Sequence, residues 1–174
     1  MANITTTVRN ILETTPTIAR SMLSAASDDL LDFRDAPDAW NARQVLSHLA
    51  EGEITDWMPR IELMLSDAAD RRFVPFDREG GFARYDGWRV PALLDEFERL
   101  RMANLARLDA RHLSDDDLAR TGIHPELGQV TLRQLIACWA THDLAHLNQM
   151  SRLFVRAIGP EVGPWKAFFS LLKP

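Results

Sequence analysis

The chain has a single cysteine, Cys138, among its 174 residues. One thiol cannot close an intramolecular disulfide or build a multi-cysteine zinc finger. Runs of positive charge are just as scarce: none exceeds Arg71-Arg72, and the formal net charge is −5. Phosphate backbones require concentrated positive charge, so nucleic acid is not an expected partner. No stretch approaches the roughly 20 apolar residues that span a bilayer. The opening "MANITTTVRNILETTP" lacks the basic segment and apolar run of a secretory signal. A cytoplasmic location with no membrane partner is the expectation. G-x-x-x-x-G-K-[ST], G-x-G-x-x-G and G-x-S-x-G are missing, and so are the paired E-x-x-H motifs of di-iron bundles.

What is present is helical. Hydrophobic residues make up 46% and charged residues 26%, the balance of a soluble globular protein. This length predicts one domain over 1–174. Apolar residues recur at helical spacing, and no segment alternates like a strand. Ile4, Val8, Ile11 and Leu12 predict a short first helix that breaks near Pro16, with a second segment carrying Ile18, Met22 and Leu23. "SDDLLDFRDAPDAW" reads as an irregular connection. Asn41-x-x-Gln44 is a capping box opening a helix over about 42–67, with a bend at Pro59. Residues 70–90 hold Pro75, Gly80, Gly81 and Gly87 and predict a long loop. A third long helix fits Pro91–Arg111, followed by a connector over 113–130. Thr131-x-x-Gln134 is a second capping box, opening a helix that runs to about Val155. The apolar tail "GPWKAFFSLLKP" should dock back on the body. Four long amphipathic helices predict an all-α four-helix bundle, with the long loop between its second and third long helices.

The chemistry concentrates in "ACWATHDLAH", residues 137–146. On a helical wheel Leu132, Leu135, Ile136, Trp139, Leu147, Met150, Leu153 and Phe154 form one stripe, with His146 near its middle and His142 near its edge. Asp143 projects the same way. Buried imidazoles without partners cost roughly 1–3 kcal/mol each, and a metal ion satisfies two of them at once. Hydrogen bonds to carbonyls or carboxylates would satisfy them equally well. His48, in "QVLSHLAEGE", is the natural third ligand, with Gly52 leaving room beside its ring. His112 and His124 read as surface or structural residues, although His124 lies close enough to the last helix to line a pocket mouth.

Trp40 ahead of "NARQVLSHLAEGE" and the H-x-x-x-H of "THDLAHLNQ" resemble the DinB-like (DinB/YfiT-like) superfamily of metal-dependent four-helix-bundle proteins. "DWMPRIELML", "FVPFDREGG", "HPELGQVTLRQLI" and "VGPW" extend the resemblance over nearly the whole chain. The resemblance implies a single DinB-like domain with one divalent ion, zinc or nickel, on His48, His142 and His146, and water in the open positions. It also implies a small-molecule substrate, a low-molecular-weight thiol as a candidate co-substrate, and a homodimer as a candidate assembly. The matching activities are thiol S-transfer and hydrolysis, through activation of a thiol or water against a small electrophile. The alternative is a non-catalytic stress-response bundle in which the metal serves structure or oligomerisation.

Other residues carry two readings each. Asp143 is a candidate acid/base or ligand-orienting group, or else the partner of an arginine on a neighbouring helix. Glu51, one turn after His48, is a candidate catalytic carboxylate or a salt-bridged one. Cys138, four residues before His142, reads as a small hydrophobe before it reads as a ligand. Trp57, Arg60 and Phe76–Arg78 are candidates for shaping a pocket or lid.

Overall fold

Five helices, two of them joined end to end, form the four walls of a bundle. The computed structural model describes residues 4–172; the outermost residues of the expected single domain lie outside that range. The helices are α1 (Ile4–Leu23), α2 (Asp28–Leu31), α3 (Ala42–Thr55), α4 (Trp57–Leu65), α5 (Gly80–Arg84), α6 (Val90–Asp109), α7 (Asp115–Ala119) and α8 (Leu132–Ile158). α1 packs between α6 and α8, and α3 closes the ring against the same two helices. α4 continues the wall begun by α3. This is the expected four-helix bundle.

Several boundaries differ from the sequence reading, each for a physical reason. α1 does not break at Pro16 but runs through it. Proline removes the N–H that would bond to the carbonyl four residues back. That carbonyl, Leu12 O, instead accepts from Arg101 Nη1 at 2.8 Å, so the helix loses no acceptor partner. The bend expected at Pro59 falls at Asp56 instead, where φ −112° and ψ −71° separate α3 from α4. Pro59 then sits in the first turn of α4, where an N–H has no intrahelical partner to lose. The connection after α1 contains α2, which is capped by Ser27.

The 70–90 segment is not all loop, since α5 folds inside it. A Cβ on Gly81 would lie 2.5 Å from Ser47 O, so only glycine lets α5 sit this close to α3. The 113–130 connector holds α7 and an antiparallel hairpin of β1 (Thr121–His124) and β2 (Gly128–Thr131), the strands the sequence reading missed. Four-residue strands are too short to show alternation. Arg72 bridges to Ile123, which ties the loop after α4 to the hairpin. The tail forms 3-10 turns beside α8, with Arg156 Nε donating to Leu171 O at 3.4 Å. Its aromatic rings do not dock: Trp165, Phe168 and Phe169 remain exposed. Among the described residues no helix is long and apolar enough to cross a membrane.

The apolar core comes in two parts. One gathers Leu23, Leu46, Leu49, Phe97 and Met150, and the other Leu12, Met58, Ile61, Leu105 and Trp139. Truncating a ring such as Phe97, fully buried here, to alanine should cost about 3–5 kcal/mol. Between the two parts all four walls contribute polar groups: Leu12 O, Glu53, Arg101 with Asn104, and Asp143. A cavity lies among α3, α4, α8, the loop after α4 and the hairpin.

Candidate metal centre

Capping fixes the phase of both helices that reach the cavity. Gln44 N donates to Asn41 Oδ1 at 2.9 Å, and Asn41 N donates back to Gln44 Oε1 at 3.1 Å. Thr131 and Gln134 exchange the same pair of bonds at the head of α8. Each box satisfies first-turn donors that would otherwise lack partners, typically worth about 1 kcal/mol. From these starts α3 brings His48 inward, and α8 presents His142 and His146 on successive turns.

The three rings converge, with one nitrogen of each within 4.8 Å of the others. His142 Nε2 lies 2.9 Å from His48 Nε2 and 3.1 Å from His146 Nε2. The outer nitrogens fix where the protons are. His48 Nδ1 is 2.9 Å from Arg78 O, which can only accept, so Nδ1 carries the proton and Nε2 a bare lone pair. His146 Nδ1 donates in the same way to Gln149 Oε1 at 2.8 Å. His142 Nδ1 is buried with no partner among the described residues. Three nitrogens therefore face one another with at most one proton between them.

Protonation does not relieve this crowding. Burial pushes His48 down to about 4, and nearby charge on His146 and Arg78 adds to the effect, although the bond to Arg78 O opposes it. Burial and the two neighbouring rings push His142 down to about 2. Burial also lowers His146. Neutral imidazoles with converging lone pairs match the donor set of a divalent transition-metal ion. Hydrogen bonding alone satisfies the arrangement less well.

Aromatic side chains surround the rings. Trp40 lies 4.9 Å from His48 and nearly parallel to His146 at 6.3 Å. Trp57 stands edge-on to His142 at 5.1 Å and stacks on the core ring of Trp139. Its indole fills the space left by Gly52, where a Cβ would meet Trp57 Nε1 at 3.1 Å. That space therefore serves the indole, not the His48 ring as the sequence reading expected. The histidines line a cavity of about 660 Å³, with Trp57, Phe73, Phe76 and Leu135 on its apolar side.

The helical wheel put His146 near the middle of the apolar stripe on α8, deeper than it lies. Asp143 is the fully buried polar residue there, while His142 and His146 are half-buried at the cavity edge. The Asp143 carboxylate accepts from Arg101 Nη1 at 2.5 Å and Nη2 at 3.1 Å. Glu51 accepts from Arg84 Nε at 2.6 Å. Neither carboxylate is among the groups lining the cavity. Cys138, Arg60, Phe76, Arg78 and His124 do line it, and so does Asp56, which the sequence reading passed over. Asp56 lies two turns beyond His48, so helical spacing alone had placed it on the same face.

Residues 11–150 match the family model of the DinB superfamily. The chain belongs to that superfamily. A protein of Oceanobacillus iheyensis is 26% identical over 148 residues, covering 84% of each chain. YfiT of Bacillus subtilis is 25% identical over 151 residues, covering 82% of this chain and 81% of its own. Both bear the name "Putative metal-dependent hydrolase". The solved structure of YfiT, described as a four-helix bundle of unusual topology, superposes with a TM-score of 0.74 at 23% identity. It covers 89% of this chain and 87% of YfiT, and it shows that this DinB-superfamily chain shares the fold.

Proposed function

We propose that this DinB-superfamily protein is a metal-dependent hydrolase of small molecules, with one divalent ion, zinc or nickel, held by His48, His142 and His146. The observation that carries the reading is the convergence of three Nε2 atoms with at most one proton between them at a cavity wall. Imidazole donors suit both metals. When bound on three neutral imidazoles, such an ion retains its 2+ charge and an open position, which lowers the pKa of a water or thiol and polarises a carbonyl.

The chain's own residues prepare that chemistry. Arg78 O and Gln149 hold two outer Nδ1 protons, which fixes the tautomers and aims both Nε2 lone pairs inward. Trp40 and Trp57 restrict the rings to one orientation by contact. Trp57, Phe73, Phe76 and Leu135 give the substrate's apolar body a surface to cover, which excludes water from that side. A catalytic centre is favoured over a structural one because structural zinc sites are closed by four protein ligands. Here only three potential ligands cluster among the described residues, at an open cavity.

Zinc- or nickel-loaded protein should hydrolyse short nitrophenyl esters, and chelation should abolish turnover until metal is restored. Adding a low-molecular-weight thiol to the same assay separates hydrolysis from thiol transfer, because a thioester product appears only in the second case. Turnover that persists after complete metal removal would overturn the proposal.

A further inference from the structure

Two guanidinium groups line the cavity that holds the histidines, and only one has its charge balanced inside the chain. Arg60 Nε pairs with Asp56 Oδ1 at 2.7 Å, and both side chains are nearly enclosed. Arg78 forms no ion pair, and its guanidinium no hydrogen bond, among the described residues. Nearby acids are engaged elsewhere: Asp77 Oδ1 accepts from Glu79 N, and Glu79 Oε1 from the Trp40 indole. Asp35, which shares a smaller pocket with Arg78, pairs with Arg152 and Arg156. Asp38 and Glu126 line the same pockets without reaching it. Arg78 is nevertheless held at both ends. Its carbonyl accepts from His48 Nδ1 at 2.9 Å, and its guanidinium carbon lies 5.5 Å from the Trp40 ring centre. Stacking on an indole uses the flat face of a guanidinium and leaves the in-plane N–H groups free to donate. The residue is exposed, so those donors are open to a ligand.

We infer that Arg78 anchors a carboxylate on the substrate, which makes the substrate class a small organic acid or one of its half-esters. The same indole packs against Arg78, against His48 at 4.9 Å and against His146 at 6.3 Å, so anchor and metal centre share one wall. Two further groups on the cavity wall are left as donors. His124 Nδ1 accepts from Glu126 N and Leu127 N, both at 3.2 Å, so the proton of the neutral ring sits on Nε2. Gln134 Oε1 is taken by Thr131 N, which leaves its amide NH2. A planar carboxylate takes two parallel N–H bonds from a guanidinium. An ammonium is repelled by it, and a neutral amide brings no charge of its own. Trp57, Phe76 and Leu135 offer the ligand's carbon chain an apolar surface. That the labile bond of a half-ester lies at the histidines rests on the proposed hydrolase reading; the anchor does not.

Hexanoate, hexanamide and hexylammonium test the anchor in the full chain at about pH 8, where the carboxylate is ionised. Their binding to metal-free protein is followed by the Trp40 indole N–H resonance, because a bound metal would itself attract a carboxylate. Hexanoate should bind at least about fivefold tighter than hexanamide, with hexylammonium weakest, and salt at about 0.5 M should shrink the preference. Arg78→Gln should equalise hexanoate and hexanamide, and Arg78→Lys should restore part of the difference. Both variants keep the main-chain carbonyl that holds His48, so a lost preference reports the guanidinium. In zinc-loaded protein the mono-nitrophenyl ester of glutaric acid should show a KM at least about fivefold below that of nitrophenyl pentanoate, and Arg78→Gln should remove the difference. Equal binding of hexanoate and hexanamide, or a preference unchanged in Arg78→Gln, overturns the anchor. A carboxylate preference that Arg78→Gln abolishes, in a protein that takes up no zinc, supports the anchor and overturns the hydrolase reading. Zinc uptake with ester turnover but no carboxylate preference does the reverse.

Discussion

Two polar clusters sit side by side in the bundle, and α8 supplies adjacent residues to them, Asp143 to one and His142 to the other. In the first, Arg101 is fully buried and all five of its N–H groups are used, on Glu53, Asp143 and Leu12 O. Glu53 receives further bonds from Asn104 at 3.0 Å and Trp139 at 3.1 Å, and the guanidinium stacks on Phe97 and Trp139. Even so, burial pushes the Glu53 carboxyl up, and the charge of Asp143 adds to the shift, while Arg101 opposes it. In the second, three imidazoles turn ring nitrogens toward one another at a cavity with at most one proton between them, and the buried His142 Nδ1 has no hydrogen-bond partner among the described residues. A cluster whose bonds are all made inside the chain fixes the fold. One with acceptors left over is built to receive something from outside.

Removing the centre of the first cluster should have the largest effect. Arg101→Leu leaves Glu53 and Asp143 buried without their counter-charge, which should cost about 3–5 kcal/mol. Urea unfolding would measure it, and a loss below about 1 kcal/mol would mean the network is not structural. His142→Ala should behave in the opposite way. The metal-free fold should survive with a change within about 2 kcal/mol, while metal-dependent turnover falls about 100-fold or more.

Acid should separate the clusters further in metal-free protein. The His48 pKa is depressed to about 4 in the fold, so the unfolded chain binds more protons from near pH 6.5 downward. Stability contributed by keeping this ring neutral is therefore intact above about pH 6.5 and is lost as pH falls toward 4, at up to about 1.4 kcal/mol per unit. Asp56, raised to about 6, acts in the opposite sense over part of that range. The clean measurement is thus the difference between wild type and His48→Gln at each pH. The variant should gain on the wild type as pH falls, and a constant difference would contradict the depressed pKa. The smallest effect is expected at Pro16. Pro16→Ala should change stability by less than about 1 kcal/mol, against about 3 kcal/mol for an ordinary helix-interior proline, because Arg101 already occupies Leu12 O.

Much of this was legible before the fold was seen. Caps and apolar spacing are local signals, so Asn41/Gln44 and Thr131/Gln134 marked true helix starts. The H-x-x-x-H spacing brought His142 and His146 together on one helix edge. Long-range partners were not legible. Nothing near Pro16 announces that an arginine 85 positions later will take the Leu12 carbonyl. Nothing near Asp143 names Arg101 as its partner. The wheel put His146 near the middle of the apolar stripe because it weighs angle alone, and depth on α8 depends on where the neighbouring helices lie. The hairpin was hidden by strands four residues long.

The central claim is that His48, His142 and His146 together hold one divalent ion, and metal content by inductively coupled plasma mass spectrometry tests it most directly. Untagged protein should carry about one zinc, nickel or similar ion per chain, and a folded His146→Ala variant prepared alongside should lose it. Protein that takes up neither zinc nor nickel when each is supplied in turn, or a variant that retains the ion in full, would contradict the account.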